Sequence, residues 1–187
     1  MEFEFNRRKT DNNSAKNEAV YATLFGNFDI SGKDRNPINI TDKRAKAILA
    51  LLCLSPQHMM DRTILTEILW PGRFPAQAKS SLRQCILKLS KVFDPSHPNL
   101  INVSREKISI NEPLLTSDLH VLLHSISNAH IDDALRLVTQ YKNLNFLENI
   151  SVNQQFDSYT AKLIEQLEAD IETKVSQLKA LAEDEQT

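Results

Sequence analysis

The segment from Ala78 to Lys91, AKSSLRQCILKLSK, constrains this chain more than any other. Ala78, Leu82, Cys85, Ile86 and Leu89 recur at steps of three and four residues, which lines one stripe of a helix and calls for a core to bury it. Ser80, Arg83, Gln84, Lys88 and Lys91 fall on the opposite face, and these residue types hydrogen-bond to base edges and phosphates in a major groove. Taken alone, a basic outer face is the ordinary solvated side of a surface helix. The neighbouring segments decide how much more it means.

The first twenty residues are polar, charged and Asn-rich, and read as a flexible lead-in that cannot bury enough surface to fold by itself. From Tyr21, YATLFGNFDIS alternates apolar residues, GKDRN supplies a turn, and PINIT resumes the alternation, so a small antiparallel hairpin is expected. Thr41 is placed to cap a helix from about Asp42 to Leu54 that ends ahead of Ser55-Pro56. Asp61 suits the cap of a second helix, RTILTEILW, with Ile64, Leu65, Ile68 and Leu69 on its buried face and a stop at Pro71-Gly72. Trp70 reads as core beneath the junction with the next helix. After the turn-rich Asp94 to Pro98, LINVSREKISIN alternates Ile101 and Val103, then Ile108 and Ile110, around the polar tip SREK. Arg105 and Lys107 there are placed to reach a minor groove or the adjacent phosphates, although hairpin tips are often charged simply because they are exposed. Hairpin, helix, short helix, long helix and strand pair follow one another in the order of a winged helix-turn-helix.

Composition agrees with that architecture. Three glycines in 187 residues argue against glycine-rich phosphate loops and against strand-rich folds with many tight turns, so a mainly helical chain with small β elements is expected. The net charge of −2 is unevenly spread: residues 21–113 hold 13 basic and 8 acidic side chains, whereas 114–187 hold 5 and 12. A basic half suggests a polyanionic partner and an acidic half suggests protein or solvent, with a modest +5 implying salt-sensitive affinity. Cys53 and Cys85 lie in apolar helical stretches without C-x-x-C spacing and read as core thiols. The N-terminus lacks the apolar run of a signal peptide, and AILALLCL is too short to span a bilayer, so no membrane partner and a cytoplasmic location are expected.

Three further helical patterns lie near Ser117 to Ser127, Ile131 to Tyr141 and Asn153 to Ala182, with Ser117 a suitable cap for the first and Asp132-Asp133 favouring the positive end of the second. The third carries Phe156, Tyr159, Leu163, Leu167, Ile171, Val175 and Leu178 as a long stripe, more than two short helices are expected to cover, which leaves room for a homodimer or a missing remainder. Enzymatic signals are weak. His120 and His124 stand at metal-ligand spacing, but no glutamate follows His120 and no third ligand is evident. No G-x-S-x-G and no phosphate loop is present; neither catalysis, a cofactor nor a metal is expected.

ILALLCLSP, RTILTEILWPGRFPAQAKSSLRQCILKLSKVF and LINVSREKISINEPLLTSDLHVL resemble the winged-helix domain of SARP-type bacterial transcriptional activators, a branch of the OmpR-type DNA-binding fold. The helices that follow resemble the bacterial transcriptional activator domain that accompanies it. Leu69-Trp70, the SSLRQ-x-x-x-K-L helix and SDLHVL are its most specific pieces, and the resemblance covers about residues 22–182. It implies a lead-in over 1–20, a DNA-binding domain over 21–113 and a truncated, repeat-like helical domain over 114–187. It also implies a reading helix on Lys79 to Lys91, phosphate contacts from Arg73 and Lys79, and a wing on Ser104 to Lys107. Members bind promoter DNA as paired copies and help to recruit RNA polymerase. This chain departs in having Lys88, Ser90 and Lys91 where arginines are common, since lysine lacks the fork that reads guanine, and in lacking a wing glycine. Leu87 intrudes on the polar face, to touch a thymine methyl or to pack on a neighbour. No receiver domain is expected ahead of the winged helix. The rival to a DNA-binding regulator keeps the fold as a protein-interaction module of a larger signalling system. Clustering of Lys79, Arg83, Lys88 and Arg105 on a free surface favours DNA, and burial of that surface against residues 117–182 favours the rival.

Overall fold

In the computed structural model, which describes residues 19–184 apart from 33, 129–130 and 142–143, Lys43–Leu54 forms α1 at the centre of the core. Ala45 and every residue from Ala47 to Leu54 is buried, as a helix apolar on all sides must be. The expected lead-in lies, up to position 18, outside the described residues. Asp42 caps α1 in place of Thr41: its Oδ1 accepts from the N–H of Arg44 and of Ala45, each at 3.0 Å. A carboxylate brings negative charge to the positive end of the helix, which a threonine hydroxyl cannot. Ser55 ends the helix in extended backbone ahead of Pro56, as expected.

Arg62–Leu69 forms α2 and Pro75–Phe93 forms α3, both packed against one another, and α3 lies on α1. Ala78, Leu82, Cys85, Ile86 and Leu89 are all buried, and the helix runs further at both ends than Ala78 to Lys91, with Phe93 closing its apolar stripe. Between the helices the chain turns at Trp70, which is buried, and at Gly72, whose φ of 74° suits glycine. The face of α2 differs from expectation. Ile64 is 36% exposed, and Thr66 takes a buried place because its hydroxyl is satisfied by donating to Thr63 O at 2.7 Å. Asp61 stands at the N-cap position of α2 without a side-chain hydrogen bond there.

Among the described residues, six short strands make two sheets. Numbered in chain order, β1 is Val20–Thr23, β2 Asp29–Ser31, β3 Met59–Asp61, β4 Ile101–Val103, β5 Lys107–Ile110 and β6 Leu115–Ser117. The wing hairpin β4–β5 forms with Ile101 opposite Ile110 and Val103 opposite Ile108, and β3, which no pattern in the sequence announces, pairs with the other side of β5. At the N-terminus the expected hairpin turn is displaced. The first run folds on itself between Leu24 and Phe28, with Gly26 at φ 81°, so that β1 and β2 pair within it. PINIT contributes the bridge of Pro37 to Ser31, with Gly32 N–H donating to Asn36 O at 3.0 Å and Ile38 N–H to Ile30 O at 2.8 Å on either side of it. β6 then pairs with β1 in parallel, giving the order β2-β1-β6.

Asp118–Ser127 forms α4, Ile131–Tyr141 α5 and Gln154–Asp184 α6. Ser117 caps α4 by accepting from His120 N–H at 2.9 Å. The stripe of α6 is covered within the chain: α6 packs on α1 and α2 as well as on α4 and α5. Phe156, Ile171 and Val175 are buried and Tyr159, Leu163, Leu167 and Leu178 half-buried, so the stripe does not require a second copy. α1 and α2 supply the surface that α4 and α5 are too short to provide. Asn153 fixes the start of α6, accepting from Phe156 N–H at 2.9 Å and donating to Leu69 O at 3.4 Å.

Candidate nucleic-acid interface

The exposed side of α3 carries Ser80, Arg83, Gln84, Lys88 and Lys91, the set that periodicity assigns to it, together with Lys79 and Leu87. Their directions then separate. At about 100° per residue, Lys88 lies about 180° around the helix axis from Lys79, so the two lysines occupy opposite flanks of the exposed face. Ser80, Gln84, Leu87 and Lys91 point between them, and Leu87, at 49% exposure, is not packed into the core.

On one flank the structure gathers Arg62, Lys79, Arg83 and Arg105 around an open groove of about 720 Å³ that also includes Asp61, Thr63, Ile64 and Glu106. Four cations against two carboxylates leave the lining at +2. The groove lies between the start of α2, the first half of α3 and the wing tip, and none of the described residues of 117–182 lines it. Arg73, in the loop before α3, donates from Nη1 to Ser81 Oγ at 3.2 Å and remains exposed. Lys107 is the first residue of β5, with its N–H donating to Ser104 Oγ at 2.9 Å, so the tip of the wing is Ser104 to Glu106.

Lys88 is not part of that cluster. Its Nζ forms an ion pair and hydrogen bond with Asp42, the cap of α1. Burial tends to raise the Asp42 carboxyl, but the Lys88 hydrogen bond and the N–H groups of Ala45 and Arg44 outweigh it and hold it below its ordinary value. The same partnership raises Lys88, hydrogen bond first and charge second. Cys85, one turn ahead of Lys88 on α3, is buried with its Sγ 3.9 Å from Asp42 Oδ1. Desolvation, together with the charge of Asp42, pushes its thiol up to about 11.

The Asp42 cap carries a pH signature. A depressed carboxyl contributes its full stability above the unfolded-state value of about 4 and loses it as pH falls through the lower folded-state value. Asp42→Ala is expected to lower stability by about 1 kcal/mol at neutral pH, the usual loss for a cap. In paired thermal melts the gap from wild type should close below pH about 4; a gap that stays constant down to pH about 2 would remove the carboxylate from the account.

Arg62 was not among the residues that sequence reasoning selected, yet it lines the groove with three that were. The first turn of α2 contains no acidic residue and begins with this arginine, a cation at the end of a helix that disfavours one. That mismatch was the available signal. His120 and His124 stack with ring centroids 6.3 Å apart, and among the described residues no cluster of three or more His, Cys, Asp or Glu side chains is placed to hold a metal ion. No helix among those residues is long and apolar enough to cross a membrane.

The chain is similar in fold to EmbR of Mycobacterium tuberculosis, solved in complex with a low affinity phosphopeptide, with a TM-score of 0.60 and 16% sequence identity. The match covers 87% of this chain and 46% of EmbR, so the chain spans about half the length of that protein. No family model and no curated protein sequence matches it. The likeness is one of fold: a mainly helical chain with small sheets, arranged as in EmbR.

Proposed function

We propose that this chain is a DNA-binding transcriptional regulator of the SARP type. In this reading residues 21–113 form the DNA-binding domain and 114–187 a helical part that contacts RNA polymerase or a second copy. The observation that carries it is the convergence of Lys79, Arg83 and Arg105 on one uncovered groove beside α3. Exposed cations on a helix and on an adjoining hairpin tip match the major-groove and flanking phosphate contacts of a winged helix. Ser80 and Gln84 are the hydrogen-bonding side chains for base edges, Arg73, Lys79 and Lys91 the phosphate contacts, and Arg105 and Lys107 the wing contacts. Lys88 serves the α1 cap first and reaches DNA only by leaving Asp42.

Fluorescence anisotropy with genomic promoter fragments and a scrambled duplex tests this. Fragment-selective binding is expected, with log affinity falling by about 0.9 per phosphate contact for each tenfold rise in salt. Equal, very weak binding to every duplex would favour the protein-interaction reading, for which Asp61 and Glu106 in the groove would be the relevant groups.

A further inference from the structure

Arg62 holds the wing tip from both its backbone and its side chain. Its N–H donates to Glu106 O at 2.8 Å, and its Nη1 donates to Ser104 O at 3.0 Å. Those two carbonyls flank Arg105, the cation that the wing presents to the groove. Ser104 is tied in turn to the base of the tip, its N–H donating to Lys107 O at 2.9 Å and its Oγ accepting from Lys107 N–H. A three-residue tip without glycine has few ways to satisfy its own carbonyls, and a guanidinium is a rigid, planar donor able to fix one while its remaining N–H groups face elsewhere.

We infer that Arg62 is the positioning residue of the interface: it sets the wing so that Arg105 stands over the groove opposite Lys79 and Arg83. This rests on the DNA-binding reading above. The backbone hydrogen bond is indifferent to the side chain, so the inference concerns the Ser104 contact alone. Arg62→Lys keeps the positive charge of the groove and removes the fork. If Arg62 acted only as a charge, lysine would replace it.

The test joins a double-mutant cycle with a DNA-free readout. Arg62→Lys, Arg105→Ala and the double variant are compared for duplex affinity, and hydrogen exchange of residues 101–110 is measured in the free proteins. Arg62→Lys is expected to weaken binding about fivefold and Arg105→Ala about tenfold, with the double variant no weaker than Arg105→Ala, since the first acts through the second. Exchange across the wing should rise in Arg62→Lys while α3 is unchanged. Additive losses, or wild-type affinity in Arg62→Lys, would overturn the inference, as would an unaltered wing. A wild-type protein that binds no duplex would overturn the DNA reading instead, and the exchange result would show whether the clamp itself had failed.

Discussion

Lys79→Ala combined with Arg83→Ala is expected to weaken promoter-fragment binding about 100-fold near 0.1 M salt, while Lys88→Ala changes it little. Charge-assisted hydrogen bonds are worth about 1.5–3 kcal/mol each, and two solvent-exposed ones at the lower end of that range, about 3 kcal/mol together, account for a loss of that size. The singles should divide by mechanism. Lys79 sits at the start of α3 beside the groove, and its removal should weaken all duplexes alike and reduce the salt slope by about 1. Arg83 lies one turn further along, and its loss should also narrow the gap between promoter and scrambled duplex. Lys88 is the discriminating control because it lies on the same helix but is engaged with Asp42. Anisotropy titrations at several salt concentrations read all three. If Lys88→Ala proved as damaging as the double variant, the flank facing Asp42 would be the reading surface and the groove would lose its role.

Much of this arrangement is legible in the residues, for reasons of scale. Five of the six buried positions of α3, Ala78 to Leu89, recur over three turns, long enough for the helical period to be unmistakable, and the unbroken apolar run of α1 has no destination but the core. The wing is readable because both of its strands alternate about a polar tip. β3 is only three residues long and offers a single alternation, so its pairing with β5 is a tertiary event without a local sign. The N-terminal turn fell at Leu24 to Phe28 rather than at GKDRN because a distant carboxylate holds it there. The candidate site divides in the same way. Periodicity puts Arg83 and Lys88 on one exposed face, but which flank each serves depends on Asp42, 46 positions from Lys88 in the chain. Likewise the α6 stripe suggested an outside partner because its true cover, α1 and α2, lies about a hundred residues upstream.

Asp118→Ala is expected to lower stability by about 3 kcal/mol. This carboxylate is 2% exposed and accepts from three backbone N–H groups. Leu24 N–H lies 2.9 and 3.0 Å from its two oxygens, Phe25 N–H 3.1 Å from Oδ2, and Leu119 N–H 2.8 Å from Oδ1. Burial pushes the carboxyl above its ordinary value while the N–H groups of Phe25, Leu24 and Leu119 draw it back. Alanine would strand all three donors away from water, each at about 1–3 kcal/mol before relaxation. Asp118→Asn retains one acceptor oxygen but turns an amide NH₂ toward the remaining donors, so its loss should be intermediate. At about 2–4 °C per kcal/mol for a chain of this size, Asp118→Ala should lower Tm by about 6–12 °C. The substitution also separates two roles of the contact. Asp118 joins the β1–β2 turn to the first residue of α4, and the same turn is tied to the helical part by Gly26 N–H donating to Asn145 O, Leu147 N–H donating to Leu24 O and the stacking of Phe25 on Tyr141. The groove beside α3 is built from other elements, and at temperatures where the variant remains folded its DNA affinity should match wild type. A variant that melts normally would show that water can replace the carboxylate, and one that melts early and also loses DNA would show that the helical part sets the geometry of the reading surface.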